Sequence, residues 1–199
     1  MKTHNIILIK LVSIVILITT SLTLGACQSK EGNTNNAKKQ TPVSQSVTEP
    51  PEMDIHTATF LGNLDAIKQH INAGSDLNLK NEYGSNPLTI AATFGKTEVA
   101  KELINAGAEL NLISNDGSTA LHTAAFFCRT EIVKALLEKG ADKNIKNNYG
   151  STPLESVSVP FDKVKGIYDQ ISKELGPMGL KLNYKHLEMT RPIIADLLK

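Results

Sequence analysis

The sequence predicts a mostly α solenoid of helix-turn-helix-loop units, and three observations predict it. Gly84, Gly117 and Gly150 stand 33 residues apart, and Gly74, Gly107 and Gly140 keep the same interval. Between these glycines the apolar residues recur at spacings of 3, 4 and 7, the mark of amphipathic helices. The chain of 199 residues has no Trp and is 41% hydrophobic but only 5% aromatic, a composition suited to one core packed by small aliphatic side chains. A fixed period of this length means units that cannot bury an apolar face alone and must cover one another.

Residues 1–26 come first and read differently. Lys2 and Lys10 flank an apolar run from Ile6 to Leu24 that holds no acidic residue, which is the pattern of a signal sequence. The run ends in Leu24-Gly25-Ala26-Cys27, which resembles the lipobox of bacterial lipoproteins. That resemblance implies cleavage before Cys27 and acylation of its thiol and new amino group. One acyl chain binds a membrane marginally, whereas two or three anchor stably at about 0.8 kcal/mol per buried methylene. The alternative is an uncleaved membrane helix with an accidental cysteine. Gln28 and Ser29 follow Cys27 in place of an aspartate, which by the same resemblance implies outer-membrane sorting in a cell with two membranes. The expected location is therefore the cell envelope, exported and lipid-anchored, on the periplasmic face.

Loss of residues 1–26 removes two of the 21 basic residues and none of the 20 acidic ones, so the remaining chain is nearly neutral. It lacks the clustered basic surface that nucleic acid requires. With Cys27 acylated, Cys128 has no partner within the chain, and stability must come from packing.

Residues 27–53 form a tether. After Cys27 they are rich in Gln, Asn, Ser, Thr, Lys and Pro and too poor in apolar residues to offset the entropy of ordering. As a flexible coil this segment reaches roughly 28 Å.

From residue 54 to 159 the units align without a gap. Ile55 matches Leu88 and Leu121, Ala58 matches Ala91 and Ala124, Ala66 matches Val99 and Ile132, and Ile71 matches Ile104 and Leu137. The first helix of each unit is short and alanine-lined, so that neighbours approach closely. The second is longer, as in the stretch from Thr130 to Leu137, where Thr130 is placed to cap the start and Gly140 to close the end. An Asn follows at 78, 111 and 144, and the loops end on the second set of glycines, which supply positive φ.

These features resemble the ankyrin repeat, whose Thr-Pro-Leu-His-x-Ala hallmark appears as Thr119-Ala120-Leu121-His122-Thr123-Ala124 and partly as Asn86-Pro87-Leu88-Thr89-Ile90-Ala91. Residues 54–159 then hold three units and the start of a degenerate fourth. That fourth opens well at Gly150-Ser151-Thr152-Pro153-Leu154, after which Pro160 stops its first helix. Residues 160–199 read as a modified last repeat with a helical C-terminal cap. Val164, Tyr168, Ile171 and Leu175 make the apolar stripe of its second helix, and Thr190 before Arg191-Pro192 reads as the start of the cap.

No catalytic constellation is present: HExxH, GxSxG, a phosphate loop and a zinc-spaced cysteine pair are all missing, so neither enzyme activity, a cofactor, a metal nor a small-molecule substrate is expected. His56 and His122 fall at the histidine of the hallmark, and the resemblance implies that they bond to backbone groups. Cys128 replaces the glycine found at 62 and 95, so it must either adopt a left-handed backbone or shift the turn. It reads as a small half-buried side chain, or else as a redox-sensitive thiol.

Two surfaces are candidates for binding. Phe60 and Leu61, Thr93 and Phe94, and Phe126 and Phe127 fall at equivalent positions at the end of the first helices, where the resemblance implies a groove for partners. They form either an exposed apolar patch that marks an interaction site or ordinary packing between units. Tyr83 and Tyr149 sit at the loop tips, either as interface anchors or as loop packing.

The resemblance implies a membrane-anchored protein-binding module with an unidentified protein partner. A structural accessory protein that assembles through its tail, and an inhibitor or immunity-type protein for an exported enzyme or toxin, are the alternatives.

Overall fold

The computed structural model describes residues 51–199; the signal sequence, Cys27 and the tether up to residue 50 lie outside the described residues. The helices are α1 (Ile55–Leu61), α2 (Leu64–Asn72), α3 (Pro87–Phe94), α4 (Thr97–Asn105), α5 (Ala120–Phe126), α6 (Thr130–Glu138), α7 (Pro153–Ser158), α8 (Phe161–Leu175) and α9 (Tyr184–Leu198), with a 3-10 turn at Gly176–Met178. Among the described residues there is no strand.

The first helices α1, α3, α5 and α7 form an inner row, each packed on the next, and α2, α4 and α6 form an outer row behind them. Local chemistry sets where the inner helices begin. Asp54, Asn86, Thr119 and Thr152 each accept a hydrogen bond from a backbone N–H of the first turn, and Thr119 and Thr152 do so as part of reciprocal capping boxes with His122 and Glu155. Ala58, Ala91 and Ala124 are fully buried between successive inner helices, and Leu88, Leu121, Leu103, Ile132 and Leu136 fill the space between the rows. Each such aliphatic side chain contributes about 1.5–3 kcal/mol by leaving water.

The outer helices start differently from what the sequence suggests. Thr130 is the first residue of α6, not its cap; Arg129 holds that place and makes no side-chain capping bond. Arg129 is directed elsewhere, because its Nη2 donates to the Thr93 carbonyl at 3.0 Å and so caps the end of the preceding unit's inner helix. Lys96 reaches the Leu61 carbonyl in the same way at 3.4 Å.

The loops are stitched sideways. Asn78 accepts from the Glu109 backbone N–H at 2.8 Å and Asn111 from that of Asp142 at 2.9 Å, so each unit's loop is pinned to the next. Asn81 and Asn147 fold their own loops, each accepting two backbone N–H groups within four residues on. Gly117 is required where it stands: its φ is +77°, and a Cβ there would lie 2.6 Å from Asn148 Oδ1. At the other end of the stack, His70 is buried and its Nε2 donates to the Met53 carbonyl at 2.8 Å, fastening the incoming chain to unit one.

The fourth unit departs from its expected form. The stripe of Val164, Tyr168, Ile171 and Leu175 does not supply the second helix; α9 packs on α7 and α6 and takes that slot. Its start is Tyr184, capped by Asn183, which accepts from the His186 N–H at 3.0 Å, so Thr190 lies within the helix and Pro192 is an internal residue. The helix α8 is therefore an excursion between the two helices of the last unit. The segment from Phe161 to Tyr184 leaves and returns at one place, since the Phe161 and Tyr184 rings are 6.4 Å apart.

Candidate functional site

The expected aromatic row exists, and the chain itself covers half of it. The inner helices end side by side, which brings Phe60, Leu61, Thr93, Phe94, Phe126 and Phe127 to one edge of the stack, the edge of the turns. Phe60 and Phe94 meet edge to face at 4.8 Å, a geometry that aromatic rings favour. Beside them Leu61 is 56% exposed. Thr93 spends its hydroxyl on the Thr89 carbonyl and its own carbonyl on Arg129.

Further along the edge, Phe126 lies edge-on to Phe127 at 5.2 Å and stacks on Tyr168 of α8 at 4.6 Å. Phe127 is only 7% exposed, because Leu175 and Leu180 close over it with Phe94 at the margin. Of the two readings open in the sequence, packing holds for Phe126 and Phe127, and an open apolar surface remains only at units one and two. The covering segment was missed because its apolar stripe has the same period as an ordinary second helix.

Arg191 locks that arrangement. It is buried on α9, and its Nη1 donates to Tyr168 Oη at 2.8 Å while Nη2 donates to the carbonyls of Ser156 at 3.0 Å and Val159 at 2.9 Å. Tyr168 Oη in turn donates to the Phe126 carbonyl at 2.6 Å. Burial pushes the Tyr168 phenol up from its ordinary value, partly opposed by the Arg191 charge, so it serves as a donor at neutral pH.

The loop tyrosines belong to a different edge. Tyr83 and Tyr149 are half-buried in the loops that lead into the inner helices, at the opposite end of those helices from the aromatic row. The Tyr149 phenol is raised by burial and by the negative charge of Asp116. Exposed Leu79 lies on the loop of Tyr83, and exposed Ile113 on the loop between those of Tyr83 and Tyr149.

The histidines do hold backbone. The Thr119 N–H donates to His122 Nδ1 at 3.2 Å, so the ring proton sits on Nε2 and is donated to the Ser151 carbonyl at 3.0 Å. Burial holds the His122 pKa below its ordinary value, with the Ser151 carbonyl and Asp116 opposing in part. His56 also holds backbone, but at an earlier position of the following loop, where its Nε2 donates to the Leu79 carbonyl at 2.8 Å. Cys128 adopts the left-handed backbone, with φ at +53°, and is buried. Burial drives its thiol up to about 11, against the charges of Arg191 and Arg129, which leaves no reactive thiolate at neutral pH.

Among the described residues no group of three or more His, Cys, Asp or Glu is placed to hold a metal ion, and no helix is long and apolar enough to cross a membrane. Residues 55–147 match the family model for ankyrin repeats, in three copies. No curated protein matches the chain. The paired helices and that match make the fold a mostly α ankyrin-repeat solenoid with C-terminal helices.

Proposed function

With residues 55–147 read as ankyrin repeats, generally protein-protein interaction modules, we propose that this chain is a non-catalytic binding module held at a membrane through Cys27 in the bacterial envelope, where it positions a partner protein. The observation that carries the reading is the open half of the aromatic row: exposed Leu61 flanked by the paired Phe60 and Phe94. An apolar side chain left in water beside a rigid aromatic pair is the composition of an interface core. The repeat fold hosts many tasks, so the assignment stands on this surface and not on the fold.

Anchoring raises the local concentration of a bound partner without any new contact. The lipobox-like Leu24-Gly25-Ala26-Cys27 supports the anchor, and the polar segment after it supports a flexible connection to unit one. Gln28 and Ser29 after Cys27 support outer-membrane placement in a two-membrane cell.

Two variants test the two halves of the proposal. Cys27→Ser is expected to shift the protein from the membrane fraction to a soluble or uncleaved pool, and unchanged processing and partitioning would count against acylation. Leu61→Ser is expected to abolish crosslinked capture of the partner while leaving the circular dichroism spectrum intact. Undiminished capture would remove the open row from consideration.

A second reading has its own observation. Met189 and Ile193 are exposed four residues apart on α9, at the far end of the stack, which favours an accessory protein that assembles through its tail. Loss of capture on Met189→Ser and Ile193→Ser, with Leu61→Ser silent, would favour it.

A further inference from the structure

We propose that the excursion from Phe161 to Leu182 is a displaceable self-ligand: it fills, in cis, a seat on the turn edge of units two and three that is built to take an amphipathic helix. The inference rests on the reading that these repeats bind a protein, and it names the regulated part of that surface.

The seat is the apolar surface made by Phe94, Phe126 and Phe127. Its present occupant is an amphipathic helix that touches the repeats along one stripe, with Val164, Tyr168 and Leu175 buried and Ile171 partly so, while Asp162, Lys163, Lys165 and Lys173 face water. That stripe defines the kind of helix the seat accepts, with apolar or aromatic residues at one position and then four, seven and eleven residues on.

Three features make the excursion separable from the stack. The pairing of α7 with α9 completes the fourth unit without α8. The two ends meet at Phe161 and Tyr184, so the segment can lift while its ends stay together. Its ion pairs, Lys163 with Asp162 and Lys165 with Asp169, are internal, and among the described residues no ion pair joins α8 to the repeats.

Breakers delimit it on both sides. Pro160 precedes α8, and Gly176-Pro177-Met178-Gly179 follows it, with Gly179 at φ +95°. The polar fastenings are few: Tyr168 Oη to Phe126, Arg191 to Tyr168, and the hydrogen bonds of Tyr184 with Asp169 and Ser172. Release would join Phe94, Phe126 and Phe127 to Phe60 and the exposed Leu61, giving one apolar row across three units.

Two experiments decide it. In native-state hydrogen exchange on the full chain, α8 amides are expected to exchange at least tenfold faster than those of α5, α7 and α9, through an opening that leaves the stack folded. Equal protection would make α8 a fixed wall and overturn the proposal. In the second, residues 161–182 are replaced by a short Gly-Ser linker, and a fluorescent synthetic peptide of residues 160–182 is added. Saturable binding to the shortened chain is expected, at least tenfold weaker on the full chain and lost on Phe126→Ser. Failure of the shortened chain to fold, absence of binding to it, or equal binding to the full chain would each overturn the proposal. None of those results bears on capture through Leu61, so the two readings fail separately.

Discussion

Tyr168 and Phe126 are joined twice: their rings stack at 4.6 Å, and the Tyr168 hydroxyl donates to the Phe126 carbonyl at 2.6 Å. That carbonyl ends an inner helix, where no intrahelical partner exists, so the phenol acts as a side-chain cap delivered from another helix. Arg191 completes the chain of bonds from the outer row.

Tyr168→Phe isolates the hydroxyl. The ring still stacks, but the Phe126 carbonyl and an Arg191 N–H lose their buried partner, and each unsatisfied group costs about 1–3 kcal/mol. The urea midpoint is expected to fall with little change in helicity. A midpoint equal to the parent's would mean that neither bond contributes.

Ala124→Leu tests the register of the inner row. Ala124 has no exposed surface between α3 and α7, and the added carbons must force the helices apart. Overpacking of this kind costs roughly 1–3 kcal/mol. Chemical denaturation reads it, and an unaffected variant would mean the helices are not in contact there.

His122 predicts an acid-sensitive stability. Its folded pKa lies below the reference of 6.5, so as pH falls past that value the unfolded chain takes up a proton that the native ring resists. Stability is then full above about pH 6.5 and declines as pH drops from there toward the folded pKa. The test is a ring titration by NMR beside urea midpoints at pH 7 and 5; a His122 midpoint at or above the reference sinks the prediction.

Cys128 should be inert until the protein opens. With its thiol at about 11, labelling by a thiol reagent at pH 8 is expected to track unfolding and to accelerate with denaturant. Prompt labelling of the native protein would contradict the burial. Its left-handed backbone, at φ +53°, costs about 1–2 kcal/mol in a residue with a Cβ. Cys128→Gly relieves that strain while losing a buried side chain, so a net change of no more than about 1 kcal/mol is expected.

Gly117 and Gly150 separate backbone strain from crowding. Both have positive φ, but only Gly117 has the next unit's Asn148 against it, while a Cβ at Gly150 meets nothing within 4 Å. Gly150→Ala is expected to cost about 1 kcal/mol and Gly117→Ala clearly more. Equal losses in thermal or urea unfolding would refute the contact.

The repeating part was legible because each unit makes the same contacts. Ala58, Ala91 and Ala124 read as close-packing positions and are fully buried; Gly84, Gly117 and Gly150 read as left-handed and are so. The last unit was not legible for a physical reason: the stripe from Val164 to Leu175 reports that one face is covered, and says nothing about what covers it. The same ambiguity hid the fate of Phe126 and Phe127. Asn183 was the overlooked helix start, outweighed by Pro192, which the structure tolerates inside α9. Arg191 carried no sequence signal, since a lone arginine on an exposed-looking helix gives no hint of three acceptors converging on it.

A mechanical load entering through the chain that precedes unit one arrives at Met53. The imidazole of His70 grips that carbonyl, so this clasp must yield before traction reaches the first turn of α1. A tug on the chain before unit one would thus be met first at the rim of the stack, at the His70 clasp.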